Sequence, residues 1–483
     1  MTTQTPPRVQ QSANVIIALL VGSAFVMILN ETVMSVALPA LIVDLHISAR
    51  TAQWLTSGFL LTMAVVIPMS GSLLQRFTAR TVFTASMTFF CTGTLVAALA
   101  PGFGVLLAGR IIQACGTAVM MPLLMTTVMS LVPADRRGQM MGTISIVIAV
   151  APAIGPTLSG LILGSLDWRW MFGIVLPIAL AALTAGLLWL RVDDEQQEHT
   201  PIDPVSVPLS AIAFAGLVFG LSLMGASGYG RQGPPAWVPM CVGAGAMVIF
   251  GVRQVHLQRR DRAFLDLRPF GYRRYSVSLA LVVLAFMALF GAIIMLPLYV
   301  QDVLGRSALI AGLTSFPGGL LMGLAGPLVG RIYDRHGAKV LVVPGSVVLC
   351  IALWGFTALS VHTPIAELVV LQTVMMVGLS MMFTPLMTDA LGALPDRLYA
   401  HGSAILSTLQ QVGGAAGTAL FVTVMAKASH SGGAPDMPGL HAAFTVAALI
   451  SVVAVIGSLG IQAPADRAAD ASAGVDAQPE GAH

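Results

Sequence analysis

Runs of about 20 predominantly apolar residues recur from one end of this chain to the other, and no other feature constrains its fold as strongly. Each run can cross a hydrocarbon core of roughly 30 Å as a helix, and in lipid only helices and closed barrels satisfy every backbone donor and acceptor. The sequence contains fourteen such runs, over residues 14–38, 51–75, 80–100, 104–132, 137–163, 168–190, 206–226, 236–257, 275–301, 308–333, 338–360, 364–389, 402–427 and 441–461. Only 9% of its 483 residues are charged, against roughly 25% in a soluble domain. An all-α polytopic membrane protein is therefore expected, with no soluble domain between spans. The first run is too long for a signal-peptide core and lacks a small-residue cleavage site, so it is expected to stay in the mature protein.

An even number of spans puts both termini on one side, and the lysines and arginines of the short loops say which. With a cytoplasmic N-terminus, 18 basic residues fall inside and 5 outside, leaving Arg110 within a span. Both termini are thus expected in the cytoplasm. The net charge of +3 follows from this asymmetry and calls for no nucleic-acid partner. Arg outnumbers Lys 22 to 2, which suggests a GC-rich bacterial genome and an inner-membrane location. Cys91, Cys115, Cys241 and Cys350 lie within spans without metal-ligand spacing, so neither a disulfide nor a bound metal is expected.

The chain repeats itself. Gly71 to Arg80 aligns with Gly330 to Lys339 at an offset of 259, Ala37-Leu38-Pro39 with Met295-Leu296-Pro297 at 258, and Pro133 to Arg136 with Pro395-Asp396-Arg397 at about 262. Two homologous halves follow. The offset exceeds six spans by the pair 206–226 and 236–257, so the plan is six plus two plus six. The expected parts are an N-terminal tail (1–13), a six-helix bundle (14–191), a linker with two extra helices (192–274), a second bundle (275–461) and a disordered tail (462–483). Parallel six-helix halves with a midplane site between them are the plan of the major facilitator fold. Of the two linkers, Arg191 to Asp203 is acidic. Arg253 to Arg274 is basic and reads either as positive-inside charge or as a headgroup-binding segment.

Glu31 is the costliest residue, an acid about 7 Å beyond the midpoint of the first span. Met27, Glu31, Met34 and Ser35 share one helical face, and a carboxyl at that depth either binds and releases a proton or stays protonated in a structural hydrogen bond. The matching helix of the second half has no acid there, so proton coupling is expected from one half only. Arg110 needs hydrogen bonds or a counter-charge unless it snorkels to an interface, and Gln113, three residues on, shares its face. Ala151, Gly155 and Ser159, with Pro152 and Pro156, suit either a hinge between the halves or tight packing. Gly330 and Gly337 permit a close approach and a tight turn. Asp334 beside Arg335 can cap a helix or pair with an arginine, giving a conformational latch. The first-half copy keeps Gly71 and Arg76 but carries Gln75 for the acid and Thr78 for the second glycine. Asp389 reads as a second titrating group or as a cap with a topogenic role, and the 26 methionines as packing or as a deformable lining.

These motifs resemble those of a known family. The segment Gly330-x3-Asp334-Arg335-x-Gly337-x-Lys339 resembles the signature loop of the major facilitator superfamily, and Arg110-x2-Gln113 its fourth-helix motif, linked there to proton transfer. Gly155-Pro156-x3-Gly160 resembles the motif of its drug antiporters. Leu29 to Pro39 resembles the Leu-Asp-x-Thr-x4-Ala-Leu-Pro of the fourteen-span, EmrB/QacA-like drug:proton antiporters, with Asn30 in the Asp position and Glu31 after it. That form, Gln53-Trp54 to Phe59, Leu398 to Ala404 and Gln410-Gln411 to Gly417 are similar to the lincomycin-efflux-like branch. The resemblance implies proton-coupled efflux of lipophilic or cationic drugs, or of a natural-product antibiotic, without a cofactor and by an assumed monomer. Glu31, Arg110 and Asp389 would handle protons. Asn30, Thr32, Met27, Met34, Trp54, Gln113, Gln410 and Gln411 would meet the substrate. A nutrient or lipid carrier and a non-transporting sensor remain as alternatives. An ATP-driven pump does not, because no Gly-x4-Gly-Lys-Ser/Thr is present.

Overall fold

The computed structural model describes residues 7–190, 203–227, 235–260, 262–430 and 436–461. The expected acidic segment 191–202, the tail 462–483 and the first six residues lie outside these. Fourteen helices among the described residues are long and apolar enough to span a membrane, as the sequence predicts. They are α1 (Pro7–Asp44), α2 (Trp54–Arg76), α3 (Ala79–Ala98), α4 (Phe103–Leu131), α5 (Arg137–Ser165), α6 (Trp170–Trp189) and α7 (Ser206–Ser227). The series continues with α8 (Trp237–Gln258), α9 (Arg273–Leu298), α10 (Ala308–His336), α11 (Lys339–Phe356), α12 (Ile365–Gly392), α13 (Tyr399–Ala428) and α14 (Met437–Ser458). A 3-10 turn at Ile67–Met69 interrupts α2, where Pro68 cannot donate to the helical ladder.

The internal repeat reappears in the packing. In the first half α1 packs on α4, α5 and α6, α2 on α4, and α3 on α4 and α6. In the second half α9 packs on α12, α13 and α14, α10 on α12, and α11 on α12 and α14, so every pairing recurs eight helices later. The halves meet where α5 lies along α10 and where α13 lies against α2 and α4.

All hydrogen bonds found between the halves lie at one end of the bundle or near its middle. That end carries the α2–α3, α4–α5, α8–α9, α10–α11 and α12–α13 connections, with most of the arginines, and is called the basic end below. Gly138 and Gly142 of α5 face Gly330 and Gly326 of α10 so closely that a Cβ on any of the four would meet the opposing backbone. Gly337 ends α10 at φ 81°, which glycine adopts without a Cβ penalty.

The inserted helices form a hairpin in which Gly216 and Gly243 bring α7 and α8 into backbone contact. Asp203, just before α7, is bonded by Arg253 of α8 at 2.7 and 2.9 Å. These bonds hold the Asp203 carboxyl well below the usual carboxylate range. Its stabilising contribution is thus complete above about pH 4 and is lost only as pH falls further.

Three of the seven arginines from Arg253 to Arg274 are committed to the fold. Arg253 pairs with Asp203, Arg268 with Asp266 at 3.6 Å and Arg274 with Asp389 at 2.6 Å. Asp389 is therefore neither a helix cap nor a solvated topogenic charge. It is 1% exposed, accepts from Arg274 Nε at 2.9 Å and from Ser278 at 3.0 Å, and ties α9 to α12. Removing one partner of a buried pair leaves an uncompensated charge, so Asp389→Asn should cost about 3–5 kcal/mol. Thermal unfolding in detergent measures this as a lowered midpoint.

Candidate functional site

A buried polar cluster forms around Arg110 in the second turn of α4. Its guanidinium is 1% exposed, which rules out snorkelling. It donates to Gln113 Oε1 at 2.9 Å and to Asn30 Oδ1 of α1 at 3.2 Å, and stacks 4.1 Å from the centroid of the Phe59 ring of α2. Gln113 in turn donates to Thr94 of α3 at 2.7 Å. Four helices of one half thus converge on one cation. Both hydrogen-bonding partners are neutral amides, and Nε keeps no partner. The cation–π contact supplies about 2 kcal/mol or more in a desolvated site.

Glu31 sits next to Asn30 but points elsewhere, because one residue along a helix turns the side chain by about 100°. It is half-buried and close enough to Arg110 for their charges to attract, and no ion pair or hydrogen bond to it occurs among the described residues. This one-position displacement of the acid leaves Asn30 to accept from the guanidinium. Thr32, one step further, donates to the carbonyl oxygens of Leu29 at 2.9 Å and Ile28 at 3.2 Å.

Gly155 of α5 presses against Thr32, leaving no room for a Cβ. The Ala151, Gly155, Ser159 face therefore packs on α1 within its own half, which favours tight packing over a hinge between the halves. A neighbouring face of α5, through Gly138, Gly142, Val150 and Ala153, makes that interface. A Cβ added to Gly160 would meet nothing within 4 Å, and the side chain of Pro156 lies outside the described residues.

Three substrate candidates occupy other surroundings. Met27 and Met34 are each 1% exposed and buried in two separate apolar clusters, so they line no open space. Trp54 stacks at 5.9 Å on Phe219 of the inserted helix α7. Gln410 and Gln411 lie on α13 in the other half and form no hydrogen bond to the Arg110 cluster among the described residues. Gln410 is buried with an unpartnered Nε2, and Gln411 approaches Met63 Sδ of α2 at 3.8 Å.

A second constellation closes the basic end. Asp334 accepts from the backbone N–H groups of Gly138 at 2.7 Å and Gln139 at 2.9 Å, so it caps α5 across the interface rather than pairing with Arg335. Arg137 donates to Tyr399 Oη at 3.0 Å, Thr126 bonds Ser403 at 2.7 Å, and Ser145 bonds Thr384 at 2.6 Å. Gln75, which replaces the acid in the first-half loop, donates to the Arg397 carbonyl at 3.1 Å. A Cβ on Gly71 would stand 2.8 Å from Nδ1 of the buried His401. Arg76 is half-buried and lies over the Phe77 ring.

Sequence reasoning missed Phe59, Thr94, the Arg137–Tyr399 contact and the glycines Gly138, Gly142 and Gly326. The glycines were readable, since small residues spaced by three or four on two helices mark a close crossing. Phe59 ends the Gln53-Trp54 motif but carries no signal that it meets a cation.

The Major Facilitator Superfamily family model matches residues 20–418. The lincomycin resistance protein LmrB of Bacillus subtilis is 37% identical over 92% of this chain and 94% of its own. LmrB of Listeria monocytogenes is 40% identical over 85% and 86%. Among solved structures, the human organic anion transporter MFSD10 superposes with a TM-score of 0.66 at 16% identity, covering 94% of this chain and all of that one, a likeness of fold. The chain belongs to the Major Facilitator Superfamily, and it is a membrane transporter, not an enzyme.

Proposed function

We propose that this protein exports lipophilic or cationic drugs, or a natural-product antibiotic, across a bacterial cytoplasmic membrane in exchange for protons, with both termini in the cytoplasm. The observation that carries this reading is a free carboxyl, Glu31, beside a buried cation, Arg110, whose hydrogen-bond partners are all neutral. A proton on Glu31 leaves the Arg110 charge uncompensated in low dielectric, whereas an ionised Glu31 attracts it. Loading and unloading one proton therefore changes the electrostatics of a cluster that ties four helices together. Asn30, Thr32, Gln410 and Gln411 are the groups offered to a substrate. The names of the LmrB relatives supply the substrate class, a lincosamide or a comparable antibiotic. No cofactor is needed, because a proton gradient drives the cycle.

The energy suffices. For a neutral drug one proton contributes about 2.3 kcal/mol per 100 mV and about 1.4 kcal/mol per pH unit, enough for a gradient on the order of a hundredfold or more, whereas a monovalent cation exchanged one for one moves no net charge and is driven by the pH term alone. Inverted vesicles given an inward-acid pH gradient should accumulate lincomycin or ethidium, and a protonophore should abolish the uptake. Accumulation that survives the protonophore would reject proton coupling, and the absence of uptake for every drug in a broad panel would reject efflux.

A further inference from the structure

The two edges along which the halves meet are finished differently. At the α5–α10 edge the contacts climb from the basic end through Gly138 with Gly330, Gly142 with Gly326 and Val150 with Gly323 to Ala153 with Gly319, where an added Cβ would lie 2.6 Å from the Ala153 Cβ. Seven residues further on the same faces stand Gly160 of α5 and Gly312 of α10, and a Cβ on either meets nothing within 4 Å. The two helices splay apart there, flanked by Leu161 at 68% exposure and Leu313 at 51%. Gly160 is about 13 Å beyond the middle of α5 at 1.5 Å per residue, still within a half-core of roughly 15 Å. By the same measure Gly312 lies about 15 Å from the middle of α10, so the opening stands at the outer margin of the acyl-chain region.

At the other edge, between α2 and α13, α7 packs against α13 and against the Trp54–Val66 part of α2. Away from the basic end Trp54 of α2 stacks on Phe219, and Thr423 of α13 donates to the Met224 carbonyl at 3.4 Å. At the basic end the segment after α8 is pinned to the first half. The Gln254 carboxamide accepts from the N–H groups of Phe264 at 2.8 Å and Leu265 at 3.1 Å, and Ser72 of α2 donates to the Phe264 carbonyl at 2.5 Å.

We propose that the inserted α7–α8 hairpin is a one-sided seal, which closes the α2–α13 edge to the bilayer and confines exchange of lipid-dissolved substrate to the α5–α10 edge. This rests on the efflux reading above and assigns a task to the two helices that have no counterpart in either half. A lipophilic cation leaves or enters between Gly160 and Gly312, whereas a more polar substrate does not cross this lipid-side edge.

The test fills the open edge and then breaches the sealed one. In inverted vesicles, Gly312→Trp should slow transport of tetraphenylphosphonium about tenfold, a barrier of about 1.4 kcal/mol. Lincomycin transport should stay within about twofold, which also shows that the variant folds and cycles. Adding Trp54→Ala with Phe219→Ala to the plugged protein should restore tetraphenylphosphonium transport. Unchanged transport of the lipophilic cation in Gly312→Trp, equal loss of both substrates, or no recovery after the breach would each overturn the proposal. Wild-type vesicles that move neither compound would overturn the efflux reading itself, and this one with it.

Discussion

Glu31→Gln is expected to reduce drug accumulation driven by a pH gradient to the level of vesicles lacking the protein. Glutamine matches glutamate in shape and resembles its protonated form, so the helix around it has no reason to move. Arg110 keeps its hydrogen bonds to Asn30 and Gln113 and its contact with Phe59, because none of them involves Glu31. The change therefore removes proton exchange and leaves the cluster standing. Drug-for-drug exchange without a gradient should persist, and the substrate affinity should change by less than about tenfold, since no bond to a substrate is removed. Loss of gradient-driven uptake with retained exchange is the signature of a coupling residue. Loss of both would mark Glu31 as a structural or substrate-binding group instead.

Gly326→Val is the second large effect. A Cβ at Gly326 would run into the Gly142 carbonyl, and Gly142 has the same relation to Gly326, so neither backbone can yield without parting α5 from α10. Overpacking a tight contact costs about 1–3 kcal/mol. The conformation sealed at the basic end, in which this contact is formed, bears that cost. A bias of this size shifts a two-state population about 5–150-fold. The variant should shift toward the state open at the basic end, with transport reduced by a factor on the order of that shift. A cysteine placed at Gln75, whose side chain bonds the Arg397 carbonyl in the sealed form, should react faster with a water-soluble maleimide added from that side. Unchanged labelling would show that the glycine crossing does not control closure.

The helices and their duplication were legible because they rest on periodicities that lipid enforces. A span must be apolar over its whole length, and two copies of one loop at an offset of 259 survive as a pattern of glycines and charges. The functional cluster was legible in part. Arg110 and Gln113 sit three residues apart on one helix, and that spacing alone predicts the 2.9 Å bond. Which residue of α1 would meet them was not legible, since Asn30 and Glu31 differ by about 100° of rotation and only packing decides between them. The same ambiguity left two readings open for Gly155, because a helix rich in small residues offers several faces for close contact and the sequence does not say which neighbour takes each. Trp54 was drawn toward the substrate site by its polarity and position in a motif, whereas its ring serves the inserted hairpin. Asp389 was read as terminal from its place near the end of a span. Its partners Arg274 and Ser278 are more than a hundred residues away in sequence, beyond the reach of local pattern.

The most direct test of the central claim is the proton movement that accompanies transport. In proteoliposomes holding the purified protein and an internal pH dye, a drug gradient imposed without any pH gradient should drive protons the opposite way in the wild type. The Glu31→Gln variant should move drug by exchange and no protons. Proton counterflow that persists undiminished in Glu31→Gln would contradict the assignment of Glu31 as the coupling site.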